Sequence, residues 1–153
     1  MKALELRVPP VLVFLFFACA MYVLAYLLPV GTFEFFGRKW LVWALAGLGL
    51  LTGILAILRF LRKGASMNPR HPERGKILVE GGVYNFSRNP MYLALLLVLL
   101  SWGLYLGNAF NTLTAALFVA YMNRFQIKPE EGVLESIFGG AYRQYCTLVR
   151  RWF

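Results

Sequence analysis

An all-α, polytopic membrane protein is the fold class this sequence predicts, and three observations carry it. Apolar residues make up 59% of 153 residues, where a soluble domain sits nearer half. Mean hydropathy is +0.61. The apolar residues also gather into four segments, near Val11–Leu28, Trp40–Leu58, Met91–Leu106 and Ala109–Met122.

A bilayer core takes about 20 apolar helical residues. The first two segments meet that length. The last two are shorter and are separated by Gly107-Asn108, so they read as a tight helical hairpin. The N-terminus mimics a signal peptide: Lys2 and Arg7 precede the first apolar run, and Ala18-Cys19-Ala20 resembles a cleavage site. The run continues past Ala20 to Leu28, which favours a span.

The net charge is +9, and the chain has no aspartate. A nucleic-acid binder can be this basic but is not this apolar, so no nucleic-acid partner is expected. The charge instead sets topology. With four crossings, fourteen of the sixteen Lys and Arg fall on the side holding both termini and the middle loop. Only Arg38 and Lys39 fall on the other. Positive charge collects on the cytoplasmic side, so both termini and the long loop are expected there. Membrane lipid headgroups are the expected contacts of most of these charges.

Cys19 and Cys146 are too few and too distant for a disulfide framework. With His71 the only histidine, no metal site is expected. In the second span, Gly49 and Gly53 form a G-x-x-x-G pair suited to close helix packing. Gly47-Leu48-Gly49 lacks the third glycine of a dinucleotide loop.

Two stretches hold more polar chemistry than topology needs. The first runs from Gly81 through Gly82, Tyr84, Arg88, Asn89 and Pro90 to Tyr92, where a loop enters the third span. Paired glycines permit close backbone approach to a ligand. Arg88 can grip a carboxylate with two bonds. Pro90 suits a first helical turn, whose free N–H groups favour anions. Tyr84 and Tyr92 can stack on a flat ring or bond a ribose. An ordinary interfacial loop would carry many of the same residues. The second stretch, Asn123 to Glu131, includes Arg124, Pro129, Glu130 and Glu131. Pro129 followed by two glutamates is also plain helix-start chemistry. A break is expected at Gly139-Gly140. Tyr142, Tyr145, Val149 and Trp152 then form a helical face laid on the membrane or the domain.

Taken in order, Gly82-Val83-Tyr84, Arg88-Asn89-Pro90-Met91-Tyr92, Glu130-Glu131, Phe138-Gly139, Tyr142, Tyr145 and Arg151-Trp152 resemble the isoprenylcysteine carboxyl methyltransferase and phospholipid methyltransferase superfamily. The resemblance covers the chain from Asn68 onward. It implies S-adenosylmethionine as methyl donor in a cytoplasm-facing pocket, and a lipophilic acceptor entering from the bilayer. Carried over, Gly82, Tyr84, Arg88, Asn89, Pro90, Tyr92, Glu130 and Glu131 would contact the cofactor. Arg124 and Glu131 would act at the reacting groups.

Asn89 stands where eukaryotic carboxyl methyltransferases carry His, and it cannot shuttle a proton near pH 7. Val83 replaces the more usual proline. The division expected is two N-terminal spans (1–62), a cytoplasmic cofactor loop (63–90), a hairpin (91–125) and cytoplasmic C-terminal helices (126–153), in one domain. The compact chain points to a prokaryotic inner membrane. Two rival readings stand beside it. One is an NADPH-dependent reductase of the related sterol reductase type, with Arg70, Arg74 and Lys76 on the cofactor. The other is a non-enzymatic membrane scaffold.

Overall fold

A computed structural model describes residues 8–63 and 78–153. The middle of the long loop lies outside them, and with it His71, Arg70, Arg74 and Lys76. Among the described residues the fold is helical, with α1 Pro10–Leu27, α2 Arg38–Arg62, α3 Pro90–Leu106, α4 Asn111–Met122, α5 Lys128–Phe138 and α6 Gly140–Leu148. α1 and α2, with 18 and 25 residues, are long and apolar enough to cross a membrane. Only 11% and 17% of their most apolar windows are buried within the protein. The remaining apolar surface calls for lipid rather than water. α3 has 17 residues and α4 has 12.

α3 is the central element. α2 packs along one side of it, and α1 and α4 along the other. Val13, Phe17 and Met21 from α1, Leu96 and Leu99 from α3, and Ala115, Phe118 and Met122 from α4 make the main core. Buried polar groups tie the helices together. Ser101 Oγ donates to the Val42 carbonyl at 2.8 Å, and Trp102 Nε1 to the Ala18 carbonyl at 3.0 Å. In an apolar surround such bonds hold helices where hydrophobic burial alone would not.

Gly49 and Gly53 face α3, as the G-x-x-x-G spacing anticipates. A Cβ at Gly49 would lie 2.9 Å from Val98 Cγ2 and 3.0 Å from the Ala94 carbonyl oxygen, while one at Gly47 would meet nothing within 4 Å. Gly49→Leu is therefore expected to destabilise the protein by about 1–3 kcal/mol, the usual penalty of overpacking. Gly47→Ala is expected to leave it nearly unchanged. Thermal unfolding of both in one detergent checks the pair, and equal melting temperatures would contradict the packing.

α3 ends at Gly107, whose φ of 66° suits a residue without a Cβ. The short connections on this end are stitched together. Phe33 N–H donates to the Gly107 carbonyl and Ala109 N–H to the Gly31 carbonyl.

The tail departs from the sequence reading in one respect. A fresh helix was expected to start at Pro129, after a hairpin closing at residue 125. Instead α4 runs without interruption through a π-helical turn, Asn123–Ile127, into α5. Proline has no N–H to give and its ring crowds the carbonyl four residues back. Widening the preceding turn relieves both, so the helix continues through Pro129 rather than starting afresh there. The break at Gly139 is where the sequence placed it, with φ 55°.

Candidate functional site

The site is built where the loop entering α3, the start of α5 and the last residues of the chain converge. Gly81 and Gly82 both have positive φ, and a short 3-10 turn, Gly82–Asn85, leads toward α3. Asn89 precedes the helix and Pro90 is its first residue.

The C-terminus folds back onto this loop. Arg88 N–H donates to the Arg150 carbonyl at 2.9 Å. Ser87 Oγ and Asn89 Nδ2 both donate to the Arg151 carbonyl, at 3.2 and 3.1 Å. Trp152 Nε1 donates to Asn123 Oδ1 at 3.1 Å, fixing the tail to the π turn. Tyr142, Tyr145 and Val149 are buried together against Leu134 and Phe138. Their helical face therefore packs on the domain.

At the centre is Glu131. Arg151 meets it with two bonds, Nε to Oε1 at 3.0 Å and Nη2 to Oε2 at 2.6 Å. Arg88 Nη2 stands 3.4 Å from Oε1. Side-chain exposure is 13% for Arg88 and 17% for Glu131, so the pair is largely withdrawn from solvent. The bond to Glu131 raises the Arg151 pKa. Arg88 Nη1 also donates to Cys146 Sγ, while its Nε is buried with no hydrogen-bond partner.

Glu130 occupies a different environment one residue away. Tyr92 OH donates to its Oε1 at 2.5 Å. Burial pushes the Glu130 carboxyl up to about 7; the Tyr92 bond opposes this and the neighbouring Glu131 charge adds to it. Two adjacent glutamates thus sit in opposite surroundings, Glu131 between two arginines and Glu130 against Tyr92 with its carboxyl pushed up by burial.

The other sequence-derived candidates fall at varied places. Tyr84 is buried with Ala56 and Val79, its backbone carbonyl accepts from Tyr145 OH at 2.6 Å, and burial pushes its own hydroxyl up to about 12. Gly82 is exposed, and a Cβ there would meet nothing within 4 Å. Arg124 sits on the π turn, exposed, with its guanidinium carbon 5.8 Å from the Phe125 ring centroid. Cys146 beside Arg88, and Asn123 under Trp152, were not among the candidates. No local motif marks either, because both contacts join segments far apart in sequence.

The family model described as phospholipid methyltransferase matches residues 37–141. Over 62 residues the chain is 53% identical to an uncharacterized protein of Haemophilus influenzae, covering 40% of this chain and 98% of that one. Over 102 residues it is 30% identical to protein-S-isoprenylcysteine O-methyltransferase of Schizosaccharomyces pombe. That match covers 61% of this chain, which spans only 43% of the yeast protein's length. No solved structure matches. The family match covers more than half the chain and takes in the glycine turn, the Arg88–Tyr92 loop and both glutamates, so the chain belongs to the phospholipid methyltransferase family.

Proposed function

We propose that this membrane methyltransferase uses S-adenosylmethionine and transfers its methyl group to a lipophilic acceptor reaching the site from the bilayer. One observation carries the proposal: loop and tail converge on a part-buried Arg88–Glu131–Arg151 cluster that still leaves Arg88 Nε buried without a partner. A buried unpaired donor costs about 1–3 kcal/mol, and an incoming carboxylate would satisfy it. The donor set therefore fits a ligand that carries a carboxylate and a polar ribose.

In this reading Arg88, Asn89 and the N-terminal turn at Pro90 hold the cofactor's anionic end. Gly82 lets the loop approach closely, and Tyr84 braces it through the carbonyl that Tyr145 holds. Glu131 positions both arginines, Tyr92 and Glu130 face the same space, and Arg124 stands at the acceptor side. S-adenosylmethionine supplies an electrophilic methyl on a sulfonium, and alignment of donor and acceptor is the enzyme's main contribution. Where the acceptor is an amine, Glu130 suits proton removal better than Glu131, because its bonded partner is a tyrosine rather than two arginines.

α3 and α4 would complete a four-span unit in a prokaryotic inner membrane, with both termini and the site cytoplasmic. Residues 1–62 would supply two spans, 63–90 the cofactor loop, 91–125 the hairpin and 126–153 the cap, all in one domain. Neither metal nor nucleic acid takes part.

Calorimetric titration of detergent-purified protein tests it. Micromolar binding of S-adenosylmethionine or S-adenosylhomocysteine, with none of NADPH, is the expected result. NADPH binding alone would place the chain with the reductases. No binding of any of the three in folded protein would overturn the cofactor assignment.

A further inference from the structure

A cavity lies at the end of α3 opposite the Arg88–Glu131 cluster. It is partly open, of about 190 Å³, and its walls come from α1, α2, α3, α4 and the short connections. Met21, Leu45, Leu100 and Leu104 give it an apolar lining. Gly103 on this wall and Tyr92 at the first site are eleven residues apart, or about 17 Å along the helix.

Asn111 makes this cavity unusual. The residue is only 2% exposed, and both Nδ2 and Oδ1 are buried with no hydrogen-bond partner. A side-chain amide offers two donors and two acceptor lone pairs, so both its donating and its accepting atoms are unpaired. Loose local packing does not explain it. Asn108, three residues earlier and equally buried, donates to the Leu28 carbonyl at 2.7 Å and accepts from Phe110 N–H at 3.0 Å. Asn108 is thus paired, while Asn111, three residues on at the start of α4, lines the cavity with its amide unpaired. Gly103 helps keep that volume open, since a Cβ there would stand 3.3 Å from Asn111 Cβ.

The lining chemistry defines the ligand. None of the lining residues is charged, so an ion would enter uncompensated. The walls are apolar apart from the Asn111 end and its short polar neighbours. The volume exceeds the roughly 150 Å³ in which an engineered apolar cavity holds benzene. We propose that this cavity is a binding site for an uncharged amphiphile whose polar end, a hydroxyl or an amide, both donates to and accepts from Asn111. It is separate from the Arg88–Glu131 cluster and does not depend on methyl transfer.

Fluorine NMR on the full chain in lipid nanodiscs tests it, with empty nanodiscs as the partition control. The probes are para-fluorobenzyl alcohol and para-fluorotoluene, which share a ring and differ in the hydroxyl. The native protein should bind the alcohol at least about tenfold more tightly than the toluene, the effect of about one to two net hydrogen bonds. Asn111→Leu, of similar size but apolar, should erase that preference. Should Asn111→Leu fail to fold, Gly103→Val fills the cavity from α3 and should abolish binding of both probes. Displacement of the bound alcohol by dodecanol would mark the ligand as a bilayer alcohol; failure to displace would mark a small soluble one. Equal binding of both probes, no binding, or a preference surviving in Asn111→Leu would each reduce the cavity to a hydrated void and overturn the proposal.

Discussion

Glu131→Ala is expected to weaken S-adenosylmethionine binding by about 30- to 150-fold and to lower the melting temperature of the ligand-free protein. The carboxylate accepts two bonds from Arg151 and stands 3.4 Å from Arg88. Its removal leaves two cations in a space mostly closed to water. Breaking a fully buried pair costs about 3–5 kcal/mol. Partial solvent access, 32% for the Arg151 side chain, brings the expectation down to about 2–3 kcal/mol. That cost falls on the fold; affinity falls as well because Arg88 and Arg151 lose the carboxylate that positions them, and a loss of similar size is the stated range at about 1.4 kcal/mol per factor of ten.

Arg88→Ala should match it in affinity, because Arg88 carries the unpaired Nε proposed to receive the ligand. Arg151→Ala should cost less, since it releases the tail but leaves the Arg88–Glu131 pair. Calorimetry on each purified variant, with a melt to confirm folding, reads the order. Near-normal affinity in both Glu131→Ala and Arg88→Ala would remove this cluster from the cofactor site.

The fold was legible wherever composition alone decides. Val11–Leu28 and Trp40–Leu58 are apolar enough to announce helices; the observed α1, Pro10–Leu27, matches the first to within one residue, and α2, Arg38–Arg62, extends the second into charged flanks. Pro90 and Gly107 bracket α3 because one fits a helix start and the other a left-handed end. Pro129 misled for the same local reason. Proline followed by Glu130 and Glu131 is what a helix start looks like, and nothing in the sequence says that a wider turn precedes it.

The sequence marked several of the residues that the fold brings together, Arg88, Asn89, Tyr92, Glu130 and Glu131, but not how they pair. Glu130 and Glu131 are the same residue type side by side. Only the fold turns one toward two arginines and the other toward Tyr92. Asn111 was silent altogether. A single amide in an apolar run reads as a helix-packing residue until its neighbours are known to leave it unpaired.

The protonation of Glu130 makes the last difference measurable. Its carboxyl is pushed up to about 7 from an ordinary 4.5, chiefly by burial. For an acid whose folded-state pKa lies above the unfolded one, the fold binds a proton that the unfolded chain has released. The associated stability is full below about pH 4.5 and is lost as the pH rises through about 7. The loss over that window is at most about 3 kcal/mol, at about 1.4 kcal/mol per pH unit. Melts at pH 5.0 and 7.5 should show the native protein less stable at the higher value, and Glu130→Gln should remove most of the difference.

Tyr92→Phe should act in the other direction. The Tyr92 hydroxyl bond holds the carboxyl lower than burial alone would, so deleting it should carry the window to higher pH. If Glu130 takes the proton of an amine acceptor, kcat/KM for methyl transfer should rise through the same window, lose that rise in Glu130→Gln, and shift upward with Tyr92→Phe. A stability profile that moves while the rate profile stays fixed would leave Glu130 a buried acid with no part in proton removal.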